Sequence, residues 1–229
     1  PAFRRIVIET TGLADPAPIL HTLMTDKFVT RHYVIDGIVA TVDGINGLEQ
    51  LNTHAEAVKQ AAVADRIVVT KSDLVADNAI SDLEDRLRRI NPGAPIHRAV
   101  MGAIHPDALF EAGLYDPKTK SLDVQRWLRE EAYAGRDDDH VHDVNRHDDR
   151  IRAHCVVIDT PFRWETFVTW IQTLIAVNGE DLLRIKGIVN IEDQDGPIAV
   201  HGVQHLFHDP VRLPDWPDDD RRSRIVFIT

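Results

Sequence analysis

An α/β unit built on a mostly parallel sheet, followed by a small α+β unit, is the architecture this 229-residue sequence predicts. Three observations carry the prediction. Short β-branched runs alternate with helical patterns through the first half, as βα units do. The runs are apolar throughout rather than alternating, as strands covered on both faces should be. Beyond residue 150, one helix and several strands follow without regular alternation.

The first-half runs are Arg5-Ile6-Val7-Ile8, Gly37-Ile38-Val39-Ala40-Thr41-Val42, Arg66-Ile67-Val68-Val69-Thr70 and Ala94-Pro95-Ile96-His97. Between them, a helix is expected to start with Asp15 as N-cap and Pro16 at the first helical position, where a missing N–H is harmless. A second is expected over residues 53–62 and a third over residues 79–90. The third has Ile80, Leu83, Leu87 and Ile90 at helical spacing and stops at Asn91-Pro92-Gly93. A short amphipathic helix is expected over residues 124–132. The run from Arg136 to Arg150 is so charged that it reads as an exposed connector. In the last part, strands are expected at residues 153–159, 183–191, 199–204 and 224–228, with a helix over residues 164–177.

Composition narrows the function. With 43% apolar residues the chain can build a sizeable core, and its formal net charge of -11 argues against nucleic acid as a partner. One cysteine, Cys155, rules out an intrachain disulfide, and its apolar neighbours suggest a buried, inert thiol. No apolar run is long enough to cross a bilayer, so no membrane partner is expected and the location expected is cytoplasmic. The chain opens on Pro1 without an initiator methionine and closes on an apolar strand. Both ends therefore read as cut from something longer.

Two stretches carry chemistry. Val68-Val69-Thr70-Lys71-Ser72-Asp73 places a Thr-Lys-x-Asp sequence after a buried strand. A carboxylate there can accept hydrogen bonds from guanine N1–H and the N2 amine, which adenine lacks, while a lysine stem lies along the base. Asp73 is the candidate discriminator, Lys71 the stacking residue and Thr70 the brace. A plain strand-to-helix turn capped by Asp73 is the alternative. The second stretch, Ile8-Glu9-Thr10-Thr11-Gly12-Leu13-Ala14-Asp15-Pro16, sets Glu9 at a strand's carboxyl end, where Mg²⁺ is commonly held through water. Gly12 would let a backbone amide approach a γ-phosphate. A strand end followed by a capped helix is the competing reading.

Together these stretches resemble the CobW-like family of P-loop GTPases, as do Val42-Asp43, Leu182-Leu183-Arg184-Ile185-Lys186-Gly187-Ile188-Val189, Val200-His201-Gly202-Val203-Gln204-His205-Leu206-Phe207 and the closing Arg221-Arg222-Ser223-Arg224-Ile225-Val226-Phe227-Ile228. The resemblance implies an incomplete P-loop NTPase domain over residues 1–115, an acidic, His-containing connector over 116–150 and a CobW-type α+β domain over 151–229. It also implies a GTPase that delivers Zn²⁺ or Co²⁺ to a client metalloprotein, with GTP and Mg²⁺ bound. Glu9 and Gly12 would then be catalytic, and Thr70, Lys71 and Asp73 would bind guanine. His140, His142 and His147 would bind metal as a reduced form of the family's His-rich insertion. The family's Walker A loop and Cys-x-Cys-Cys motif do not occur in these residues. This chain alone is therefore expected to neither hold GTP tightly nor hydrolyse it. A non-enzymatic metal-buffering or client-docking module is the alternative. His201 and His205, at period two, form a second conceivable ligand pair, with ordinary packed histidines the competing reading.

Overall fold

The computed structural model describes residues 3–110, 151–179, 181–204 and 206–229. Three parallel strands lie side by side in the order β1 (Val39–Asp43), β2 (Arg66–Thr70) and β3 (Ile96–Ala99). Ile67, Val68 and Val69 of the central strand are all buried, whereas Val39 and Thr41 on one face of β1 are exposed, so cover on both faces holds for β2 and not for β1. The helices are α1 (Pro16–Thr25), α2 (Lys27–His32), α3 (Gly47–Thr53), α4 (Ala55–Val63) and α5 (Asp77–Ile90). Asp15 caps α1 by accepting from the Ala17 amide at 2.9 Å. On α5, Ile80, Leu83, Leu87 and Ile90 are buried as their spacing predicts.

Three expectations change here. Residues 5–8 form no strand, and Ile6, Val7 and Ile8 are exposed. β propensity needs a ladder to act on, and the described part of the sheet ends at β1 without a partner on that side. The helix expected over residues 53–62 is α4, which begins only after the extended His54, and the helix before it, α3, was not expected. The break lets Leu51 on one side and Val58, Ala61 and Ala62 on the other reach the same core. Helix α2 was not expected; Asp26 caps it by accepting from the Phe28 and Val29 amides.

The second sheet is antiparallel and runs β4 (Ala153–Ile158), β9 (Ser223–Ile228), β5 (Arg184–Val189), β6 (Ile198–Val203), β7 (Leu206–Phe207), with β8 (Val211–Arg212) also on β6. Helix α6 (Trp164–Asn178) lies on one face, where Phe167 and Ile171 pack against Ile185, Val189, Val200, Ile225 and Phe227. On the other face, Leu183, Val203 and Ile228 join the core of the first half. The two halves thus share one apolar seam. No helix among the described residues is long and apolar enough to cross a membrane. The expected connector, with residues 124–132, His140, His142 and His147, lies outside the described residues, as does His205.

Candidate functional site

The ends of β1 and β2 form one edge of the first half, and the Thr-Lys-x-Asp stretch sits on it. Thr70 closes β2, and its hydroxyl donates to the Val42 carbonyl at 3.3 Å. Lys71 follows in the left-handed region at φ 54°, a conformation that costs a β-carbon-bearing residue about 1 kcal/mol. Ser72–Leu74 then makes one 3-10 turn, with the Leu74 amide donating to the Lys71 carbonyl at 3.1 Å. This sharp turn leaves Asp73 and Lys71 exposed at the tip.

Asp43, at the end of β1, organises this edge. One carboxylate oxygen accepts from the amides of Ile45 and Asn46, at 2.8 and 3.3 Å; the other accepts from Lys71 Nζ at 2.6 Å. The hydrogen bond from Lys71 is the main reason the Asp43 carboxyl sits below its usual range. Gly44 donates its amide to the Thr70 carbonyl at 2.8 Å, and a β-carbon there would lie 2.7 Å from that oxygen. Only glycine permits the two strand ends to approach so closely. The sequence singled out Thr70, Lys71 and Asp73 but not the role of Asp43, whose partner is 28 residues away.

Glu9 and Gly12 lie in an exposed segment leading into α1, and nothing lies within 4 Å of where a Gly12 β-carbon would be. The loop is nonetheless tethered. Gln60 of α4 donates to the carbonyls of Gly12 and Ala14, at 3.1 and 2.8 Å, and Lys59 Nζ donates to Asp15 at 2.8 Å. Burial pushes the Asp15 carboxyl up, but Lys59 and the Ala17 amide outweigh it and hold it low. Sequence reasoning missed Lys59 and Gln60, which carry no motif.

A second charged cluster was also missed. Asp65, fully buried just before β2, accepts from the Ile38 amide at 3.0 Å on one oxygen and from Arg184 and Lys186 on the other, the lysine at 2.6 Å. Burial, the largest influence, would raise its carboxyl, yet the charges of Arg184 and Lys186 hold it well below the carboxylate range. His201 is buried close by, kept neutral first by burial and then by those same cations. Its ring meets that of His208 edge-on at 5.0 Å. Among the described residues no group of three or more His, Cys, Asp or Glu is arranged to hold a metal ion.

Parallel strands alternating with helices, a Thr-Lys-x-Asp turn at a strand end and an attached antiparallel α+β unit define a nucleotide-binding α/β protein of the P-loop class. Comparison with known proteins agrees. Residues 1–98 match the model of the CobW/HypB/UreG nucleotide-binding domain, and residues 151–229 that of the cobalamin synthesis protein cobW C-terminal domain. The chain belongs to the CobW-like family of P-loop GTPases. It is 30% identical over 226 residues to the zinc chaperone YjiA of Escherichia coli, a match covering 99% of this chain and 66% of that protein. It is 28% identical over 224 residues to the zinc-regulated GTPase metalloprotein activator 1 of Schizosaccharomyces pombe, covering 90% of this chain and 54% of that one. The crystal structure of the Zn(II)-bound YjiA GTPase from E. coli superposes with a TM-score of 0.71 at 28% identity, over 95% of this chain and 63% of that chain. The chain thus spans between about half and two thirds of the length of these relatives.

Proposed function

We propose that this chain is the greater part of a GTP-hydrolysing metallochaperone that hands Zn²⁺, or Co²⁺, to a client metalloprotein. The observation that carries the reading is the tip formed by Thr70, Lys71 and Asp73 with Asp43. The left-handed Lys71 and the following turn leave Lys71 and Asp73 both exposed at the strand end, where a base could reach them. Asp73 would accept from guanine N1–H and the N2 amine, and Lys71, steadied by Asp43, would lie against the ring. The oxygen-rich run Glu9-Thr10-Thr11 is exposed and offers the hard donors that Mg²⁺ prefers, so Glu9 would hold it through water. Bound there, the ion would neutralise charge on the phosphates. Gly12, with open space where a β-carbon would be, would bring its amide to the γ-phosphate, and its tethers to Gln60 would have to yield for the loop to move.

The three-part organisation at residues 1–115, 116–150 and 151–229 belongs to this reading, with His140, His142 and His147 of the middle part as capture ligands for the cargo. The family matches to residues 1–98 and 151–229 support it. Gly-Lys-Ser/Thr does not occur in these 229 residues, so the phosphate cradle would come from chain beyond them, and this chain alone would neither bind GTP tightly nor turn it over.

Calorimetric titration of the gene-length protein with GTP and ATP, in Mg²⁺, tests the reading. GTP is expected to bind at least a hundredfold more tightly than ATP, and Asp73→Asn to erase most of that preference. Equal affinity for the two nucleotides, or a preference untouched by Asp73→Asn, sinks it. Zn²⁺ titration of the same protein and of a variant with His140, His142 and His147 replaced by alanine tests the cargo ligands. Unchanged zinc affinity removes those three from the proposal.

A further inference from the structure

The residues between the two sheets are chemically unlike the rest of the core. β5 alternates as Arg184-Ile185-Lys186-Gly187-Ile188, a pattern that on an isolated antiparallel sheet gives one apolar and one wet face. Ile185 faces α6, as expected. Arg184 and Lys186 face the first half instead, and both donate to the same oxygen of Asp65. Across the ladders, Ile228 stands opposite Arg184, while Val226 and His201 flank Lys186. The seam therefore mixes a guanidinium, an ammonium and an imidazole with the apolar Leu183, Val203 and Ile228. Beside Asp65 lies a cavity of about 20 Å³, lined by Ala64, Asn91, Gly93 and the two cations, with room for a single water.

Charges withdrawn from water in this way hold a structure together no better than apolar packing of the same volume. They do hydrate well when parted. The apolar residues supply adhesion without direction, and the shared carboxylate supplies register. We propose that the contact between the two halves is a reversible dock with Asp65 as its pin. The C-terminal sheet parts from the first half and rejoins it as a body, and the charge on Asp65 sets that equilibrium. The pin is placed where its release would be felt. Asp65 directly precedes β2 and bonds the amide of Ile38, which directly precedes β1, and the far ends of these two strands carry Lys71 and Asp43. Two paired strands of five residues, each on the order of 17 Å long, join the pin to the Thr-Lys-x-Asp edge.

Thiol labelling of the 229-residue chain at neutral pH tests the dock. Cys155→Ala removes the native thiol. Ala64→Cys then reports on the seam, and Val69→Cys, inside β2, reports on unfolding of the first half. Asp65→Asn is expected to speed labelling at position 64 on the order of a hundredfold and to leave position 69 within about threefold. Adding Arg184→Met and Lys186→Met to Asp65→Asn makes the seam apolar and is expected to restore slow labelling at position 64. Equal acceleration at both positions overturns the dock, because the variant then unfolds rather than undocks. No acceleration at position 64, or a triple variant as fast as the single, overturns it as well.

Discussion

Asn91 offers the sharpest test of how the first half is held together. Its side-chain amide donates to three main-chain carbonyls, those of Ala61, Ala62 and Ala64, at 2.9, 3.0 and 2.9 Å. These belong to the end of α4 and the residue after it, where helix carbonyls lack partners of their own. Two N–H hydrogens serve three acceptors in a buried site. Asn91→Ala removes both N–H donors and leaves buried carbonyls without a partner, for a loss on the order of 3 kcal/mol. With a urea slope of about 2 kcal/mol/M, the unfolding midpoint should fall by about 1.5 M. Asn91→Asp should lose more at neutral pH, because a carboxylate can only accept and would face three other acceptors; part of that loss should return at pH 4 as the acid protonates. Urea unfolding followed by circular dichroism reads all three proteins. A loss under 1 kcal/mol for the alanine variant, or an aspartate variant as stable as the parent, would refute the account.

Acidification should weaken the fold in two stages. His201 is neutral in the folded chain with its pKa lowered by burial, so its contribution is whole above an unfolded value of about 6.5 and erodes as pH falls below that. Asp65, also lowered, contributes fully above an unfolded value of about 3.9 and is lost as pH falls through its folded value. Urea midpoints measured from pH 8 to pH 3 should decline through both windows, and a midpoint that rises between pH 7 and pH 5 contradicts the burial of a neutral His201. Gly47→Ala should cost about 1–3 kcal/mol in a thermal melt, since its β-carbon would sit 2.6 Å from Val42 Cγ1 and 3.3 Å from Leu83 Cδ2. Gly12→Ala should leave the melt within about 0.5 kcal/mol, there being nothing to strike, so any loss of GTP turnover in the gene-length protein would report on function alone.

Much of the first half is legible in the sequence, since buried parallel strands and an amphipathic helix such as α5 announce themselves by pattern. The placement of Thr70, Lys71 and Asp73 at a strand end is legible for the same reason. What escapes is whatever depends on a distant partner. Residues 5–8 have the composition of a strand but no ladder to join. Arg184 and Lys186 look like the wet side of β5, and only the fold brings them to Asp65, 119 and 121 residues away. Lys59 and Gln60 carry no motif, yet they hold the loop that contains Gly12. Local composition records propensity, whereas these contacts follow from topology.

The strand order of the second sheet has a consequence for biosynthesis. β9 lies between β4 and β5 and pairs with both, although it follows every other strand in the chain. While the ribosome is still making residues 160–222, β4 has no neighbour to pair with and α6 has only part of its sheet to cover. The first half pairs its strands in the order they emerge, so it can gain structure early. The second must wait for its last strand, because Ile225 and Phe227 of β9 complete the core under α6. Nascent chains halted before residue 223 should therefore be the ones that chaperones retain.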